Sequence, residues 1–190
     1  NINKKLIKIN KKAYIVWWYT REKVLNWNYS WDIDLATDAT PDEMKNIFNI
    51  YKEVWKKYWT MIIKEWKETY EITTFRKDIW ILDNRKPVSV EFTDILELDS
   101  KRRDFTFNAI YYNIEKNTFI DPQDWIKDLK DKLIKFIWNP ENRIKEDALR
   151  ILRFIRFKNK NNFKNWESNY FEILKKHIWL LENISIERIK

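Results

Sequence analysis

The chain has 190 residues, 44% of them hydrophobic and 35% charged, with 37 basic and 29 acidic side chains that leave a net charge of +8. This balance excludes a disordered tail and a membrane-spanning chain. It predicts a soluble, globular, cytoplasmic protein whose partners are polyanions such as RNA or nucleotides, with no membrane partner. Cysteine is absent and His177 is the single histidine. Disulfides, thiolate zinc sites and imidazole clusters are thereby excluded, so a catalytic metal would have to sit on carboxylates.

Residues 13–16, AYIV, predict a short buried strand, and TREKVLN after Trp17 and Trp18 reads as a helix start. DIDLAT predicts the next strand. In TPDEMKNIFNIYKEV, Thr40 is placed to cap, Pro41 takes the first helical position and Glu43 completes a capping box, so a helix is predicted. TMIIKE and TYEITTFR predict two strands joined by a turn at Trp66, and PVSVEF alternates like another. DFTFNAIYYNIEKNTFID reads as helix or strand leading into a hairpin near residues 115–118. From Asp121 onward the pattern is helical. WIKDLKDKLIKFI is amphipathic, NPENRIKEDALRILRFIRFKNK has apolar residues at 149, 151, 152, 154 and 155, and NYFEILKKHIWLLENISIERIK supplies a last helix pair. The expected architecture is α+β, with a mixed sheet and helices over residues 1–138 and an all-helical segment over residues 139–190.

Glycine is absent and tryptophan occurs 12 times, whereas ordinary usage of about 7% predicts roughly 13 glycines. The tryptophans fall where turns need glycine. Trp17 and Trp18 follow AYIV, Trp27 sits in NWN, and Trp66 separates two strands; an indole fits such places poorly. The expectation is a gene from a bacterial lineage in which UGA encodes glycine, so that the functional protein carries glycine at most or all of these positions. The chain begins at Asn1 and stops within the helix-like ISIERIK, and is expected to be a fragment.

Three constellations carry chemistry. Asp32 and Asp34 lie two apart on a predicted strand and share a face, where both carboxylates can grip one Mg²⁺, the hard ion that accompanies nucleotide phosphates. If Trp17 and Trp18 are glycines, the strand-to-helix turn they form bares backbone N–H groups at a helix start, and Arg21 lies on the first turn of that helix, forming a triphosphate cradle. Arg102, Arg103 and Asp104 precede the mostly apolar FTFNAI and sit at the core edge, where a guanidinium can face ribose or phosphate. In EDALRILRFIRF, Asp147 and Arg150 are i, i+3 neighbours, and the stripe continues through Arg153 and Arg156. A carboxylate accepting from an exocyclic amine beside a donating arginine selects C and A over U and G. Each constellation also has a plain alternative: solvated carboxylates, surface arginines, an exposed ion-pair ridge. His177 reads as a helix-surface residue without a partner.

With these in order, the chain resembles the bacterial class II CCA-adding tRNA nucleotidyltransferases and their poly(A) polymerase relatives, over almost its whole length. The family's GGxxRD appears as Trp17, Trp18, Tyr19, Thr20, Arg21 and Glu22. GDxDxAT appears as Trp31 through Thr37, GxxxGT as Trp55 through Thr60, and YEVTTFR as Tyr70 through Arg76. RRDFTxNAI spans 102–110, IDPxxG ends at Trp125, EDALRxxRxxRF spans 146–157, and ISxER closes at 184–188. Tryptophan stands at family glycines at 17, 18, 31, 55, 59, 66, 125 and 138; at 80, 166 and 179 the family is less fixed.

The resemblance implies a nucleotidyltransferase (polymerase-β-like) head over residues 1–138 and an incomplete helical neck over residues 139–190, with body and tail absent. It implies Mg²⁺ on Asp32 and Asp34, with Glu71 as a candidate third carboxylate. Trp18, Arg21 and Arg103 would contact the nucleotide, Asp147 and Arg150 would read the base, and Arg153 and Arg156 would line the same site. The implied reaction adds C and A from CTP and ATP to the tRNA 3′ end and releases pyrophosphate. Poly(A) polymerase shares the head, and loop 78–87, which CC-only members lack, argues for A addition. A chain from another class, an inactive RNA-binding remnant whose tryptophans stack on bases, is the further alternative.

Overall fold

A computed structural model describes residues 1–25, 33–54, 60–65, 67–79, 89–161 and 163–186. Asp32, the tryptophans at 27, 31, 55, 59, 66 and 80, and most of loop 78–87 lie outside the described residues. The chain opens with α1 (Ile2–Lys8), β1 (Ala13–Val16), α2 (Trp18–Val24), β2 (Asp34–Thr37) and α3 (Pro41–Ile47). Strands β3 (Ile50–Val54), β4 (Thr60–Glu65), β5 (Glu68–Thr74), β6 (Arg76–Ile79) and β7 (Ser89–Phe92) follow, then α4 (Leu96–Arg102). A 3-10 turn (Thr106–Asn108) leads to β8 (Tyr111–Asn113), β9 (Thr118–Ile120), α5 (Ile126–Lys130) and β10 (Leu133–Ile134). Helices α6 (Pro140–Glu146) and α7 (Leu149–Asn161), strand β11 (Lys164–Asn165), α8 (Tyr170–His177) and a closing 3-10 turn (Ile178–Asn183) complete it.

Seven strands form one mixed sheet in the order β3, β4, β5, β2, β1, β8, β9. Neighbours are antiparallel except β2 and β5, which run parallel with Asp34 opposite Glu71. Alternation along the strands separates two cores, because successive side chains point to opposite faces. Ile15, Leu35, Met61, Ile63 and Ile72 pack with Leu6 of α1 and Met44 of α3. Tyr14, Val16 and Ala36 pack with Phe75, Leu96 and Tyr111. A third cluster, with Phe105, Phe107, Phe136, Ile144, Phe154, Phe157 and Tyr170, runs from the 3-10 turn into α6, α7 and α8 without interruption at residue 138. Among the described residues no helix is long and apolar enough to cross a membrane.

The mixed α+β architecture matches the expectation, and the capping box forms: Thr40 Oγ1 accepts from the Glu43 amide while Glu43 Oε2 accepts from the Thr40 amide. Several local readings differ. The helix after Thr40 stops at Ile47, because Phe48 turns extended and enters the core and Ile50–Val54 pairs with β4. The amphipathic stretch after Trp125 is not one helix: α5 ends before Lys132, which takes φ 53. Extended residues then accept from the Thr106 amide and pair with β11, satisfying backbone groups a helix would have used. The EDALR segment breaks at Asp147 (φ −147, ψ 105), so α6 ends at Glu146 and Asp147 Oδ1 accepts from the Leu149 amide at the start of α7. His177 is buried rather than on the surface, with Nε2 3.0 Å from Glu141 Oε1. Helix α1, unread in the sequence, buries Ile2 and Leu6.

Six non-glycine residues take positive φ among the described residues: Asn10, Trp17, Asn117, Asp124, Lys132 and Trp138. Asn and Asp tolerate this region through their short polar side chains; a bulky residue there is an outlier. Trp17 lies at φ 65, ψ −123, a combination that is close to glycine-only, and Trp138 at φ 69. Both are positions where the resemblance has glycine.

Candidate active site

The site is built at the β1–α2 turn. Thr20 Oγ1 donates to the Ile15 carbonyl at 3.1 Å, tying the helix start back to the strand, and the Arg21 amide donates to Trp17 O. The Arg21 side chain is buried. Its guanidinium carbon sits 4.5 Å from the Trp18 ring centre, 5.0 Å from Phe157 and 5.8 Å from Phe107. Nη1 donates to Asn108 Oδ1, and Nη2 is buried with no hydrogen-bond partner among the described residues. Burial pushes the guanidinium down to about 9, against the opposing pull of Asp104 and, more weakly, Asp34.

Asp34 opens β2, half-buried, with Val16 opposite it on β1 and Glu71 opposite it on β5. Registered residues of a parallel pair share a face, so Asp34 and exposed Glu71 present carboxylates side by side. These are hard oxygen donors of the kind Mg²⁺ takes, and the donor set fits that ion. Among the described residues no group of three potential ligands is gathered.

The RRD segment closes α4, with Arg102 its last residue and Arg103 its C-cap. Asp99, fully buried, accepts from Arg103 Nη2 at 2.9 Å, Arg102 Nε at 2.7 Å and Tyr111 Oη at 2.6 Å. Arg103 Nε also lies 3.0 Å from Tyr111 Oη, and Nη1 donates to Asn108 O at 3.1 Å. Burial works against the Asp99 charge, yet Arg102, Arg103 and Tyr111 hold its carboxyl well below the usual carboxylate range. Burial pushes the Tyr111 phenol up, keeping it a donor. Asp104 Oδ1 accepts from the Phe105 amide and Asn108 Nδ2, and Arg153 Nε sits 2.7 Å from Asp104 Oδ2. Arg103 and Arg153 lie over the Trp17 ring, at 5.9 and 4.5 Å.

The α6–α7 junction carries the remaining residues. Asp147 is half-buried. Arg150 is buried and donates through Nη1 to the Arg143 carbonyl at 2.6 Å and Glu146 Oε2 at 2.7 Å. Arg156 is exposed on α7, one turn beyond Arg153. The structure thus gathers Trp17, Trp18, Arg21, Arg103 and Arg153 about one turn, joins Arg150 to α6, and leaves Arg156 on the outer face.

Residues 13–135 match the family described as Poly A polymerase head domain. The chain belongs to this family. It is 41% identical over 178 residues to the CCA-adding enzyme of Ligilactobacillus salivarius, covering 94% of this chain and 43% of that protein. With the CCA-adding enzyme of Bacillus subtilis it shares 37% over 183 residues, covering 96% and 45%. The crystal structure of the Bacillus stearothermophilus CCA-adding enzyme in complex with CTP superposes with a TM-score of 0.85 at 33% identity, over 99% of this chain and 45% of that one. A tRNA nucleotidyltransferase complexed with a primer tRNA and an incoming ATP analog gives a TM-score of 0.71 at 27% identity, over 100% and 54%. The chain therefore spans about half the length of the relatives it matches. Sequence reasoning assigned no role to Asp99, Asn108 or Tyr111 within this poly(A) polymerase head domain, nor to Arg143 on α6 beyond it. The i, i+4 spacing of Asp99 and Arg103, and a lone Asn in apolar FTFNAI, were the signals available.

Proposed function

We propose that residues 1–138 form the catalytic head, and residues 139–190 the start of the helical neck, of a cytoplasmic enzyme that adds C and A from CTP and ATP to the tRNA 3′ end. The observation that carries this reading is the convergence of Arg21, Arg103 and Arg153 on the β1–α2 turn, beside the face where Asp34 pairs with Glu71. Three guanidiniums suit a triphosphate, and adjacent carboxylates suit its metal.

In the proposed reaction the tRNA 3′-hydroxyl oxygen bonds to the α-phosphorus, the bond from that phosphorus to the bridging oxygen of pyrophosphate breaks, pyrophosphate leaves, and the hydroxyl proton passes to solvent water. Arg21, Arg103 and Arg153 hold the phosphates in line, neutralising charge that builds on the departing pyrophosphate. Asp147 and Arg150, at the α6–α7 junction, read the base edge, and Arg156 adds positive charge on the exposed face of α7. Mg²⁺ held by Asp32 and Asp34, with Glu71 nearby, would activate the nucleophile and steady the leaving group. Trp17 and Trp18 stand in the phosphate seat, and the positive φ at Trp17 supports glycine there in the functional protein.

The test uses the full-length protein with glycine at the tryptophan positions, labelled CTP and ATP, and a tRNA lacking its 3′ end. Addition of CCA, abolished by Asp34→Ala with the fold intact, is the expected result. Incorporation of ATP alone into a long tail would identify a poly(A) polymerase, and no incorporation with retained RNA binding would identify a remnant.

A further inference from the structure

Arg143 lies outside every residue group assigned above, and its contacts reach both halves of the site. Its side chain is buried on α6, and Nη2 donates to the carbonyls of Arg102 at 2.6 Å and Arg103 at 2.5 Å, 41 and 40 residues back in sequence. These carbonyls close α4, where a cation complements the helix dipole. Nη1 donates to Glu146 Oε2, the same oxygen that Arg150 Nη1 meets at 2.7 Å, and Arg150 also donates to the Arg143 carbonyl. One side chain therefore ties the backbone that carries Arg103 to the pair that orients Arg150. Burial pushes the Arg143 guanidinium down to about 10, with Arg150 acting in the same direction and Glu146 opposing; it stays charged at neutral pH.

We infer that Arg143 is a positioning residue that sets the base-reading Arg150 at a fixed distance and angle from Arg103. The inference rests on the reading of Asp147 and Arg150 as the base-edge readers. The planar fork is what the geometry uses, since it reaches two carbonyls and a carboxylate at once. A lysine keeps the charge at the end of α4 but not the three-point reach. If Arg143 only glued α6 to α4, its loss would lower stability and slow all four nucleotides by one common factor.

The experiment is steady-state addition of each of CTP, ATP, UTP and GTP by the full-length, glycine-restored protein and its Arg143→Lys and Arg143→Met variants, with Tm recorded for each. Arg143→Lys is expected to lower Tm less than Arg143→Met does, while the ratio of kcat/KM for C and A over U and G falls about two- to tenfold, as for a lost buried hydrogen bond. Asp147→Ala and Arg150→Ala serve as controls. If those controls keep the parental C and A preference, the base-reading assignment fails. If they lose it while both Arg143 variants keep the parental ratio, the positioning role alone is overturned. Should Arg143→Met prove unfolded, the lysine variant still decides.

Discussion

Arg153 holds its guanidinium carbon 4.5 Å from the centre of the Trp17 ring while its Nε pairs with Asp104. Arg103 approaches the same ring, and Arg21 lies under Trp18. The indoles thus cover the cationic faces that the proposed triphosphate site would use. Replacing Trp17 and Trp18 by glycine together is expected to raise CTP and ATP affinity at least about tenfold, since each cation–π contact worth about 0.5–2 kcal/mol no longer competes with phosphate. Calorimetric titration of both versions side by side checks this. Equal affinities would place the phosphate seat elsewhere.

Trp138 separates backbone strain from nucleotide binding. It is 64% exposed, so its indole contributes little packing, yet its φ is 69. Trp138→Gly is expected to stabilise the fold by about 1 kcal/mol, the cost of left-handed backbone for a residue with a Cβ. Urea unfolding monitored by circular dichroism measures it. A lower midpoint would show that the ring is held by contacts worth more than the strain.

Much of this fold was legible because the signals are local. AYIV is buried at every position, as its composition foretold, and the Thr40, Pro41 and Glu43 box forms as spaced. What escaped reading depends on distant partners. Ile50–Val54 carries helix-compatible residues and becomes a strand only because β4 is there to pair with it. The break at Asp147 leaves both flanking segments helical, so periodicity alone runs straight through it. In the site, arginines and carboxylates in short runs were visible. Asp99 was not, because its role depends on Tyr111 arriving from another element.

The Thr40 cap offers a direct stability measurement. Thr40→Ala removes the oxygen that accepts from the Glu43 amide and is expected to cost about 1 kcal/mol. Thr40→Ser, which keeps that oxygen, should recover most of it, as read by thermal unfolding.

Base choice is the sharpest functional prediction. Asp147→Ala or Arg150→Ala should lower the preference for C and A over U and G by roughly 5- to 150-fold, the worth of a matched base-edge pair at about 1–3 kcal/mol. Binding of the triphosphate itself should fall less, because Arg21, Arg103 and Arg153 are untouched. Competition between the four nucleotides on one primer reports the ratio, and unchanged selectivity would reduce this junction to an ion-pair ridge.

Acid stability should depend on Glu141. Hydrogen bonds from Lys176, His177 and Lys145 hold its carboxyl at about 2, below its ordinary value of 4.5. A depressed carboxyl contributes stability that is full above the unfolded value and is lost as pH falls through the folded one. Tm is therefore expected to drop between pH 4.5 and 2 in the parent, and Glu141→Gln should flatten that part of the curve. Added salt should shrink the difference, since the Lys145 and Lys176 side chains are solvent-accessible.

The single parallel pairing in the sheet gives register a chemical meaning. Asp34 meets Glu71 only because β2 and β5 align at that one offset, with Leu35 opposite Ile72 on the buried face. A slip of one residue in either direction would set Asp34 against Ile72 or Tyr70 and turn Glu71 toward the core beneath α1 and α3, so the hydrophobic core itself forbids it. Apolar packing on one face thereby proofreads the alignment of acidic groups on the other. Substitutions in Leu35 or Ile72, whose side chains carry no polar atom, would reach the paired carboxylates of Asp34 and Glu71 through the sheet alone.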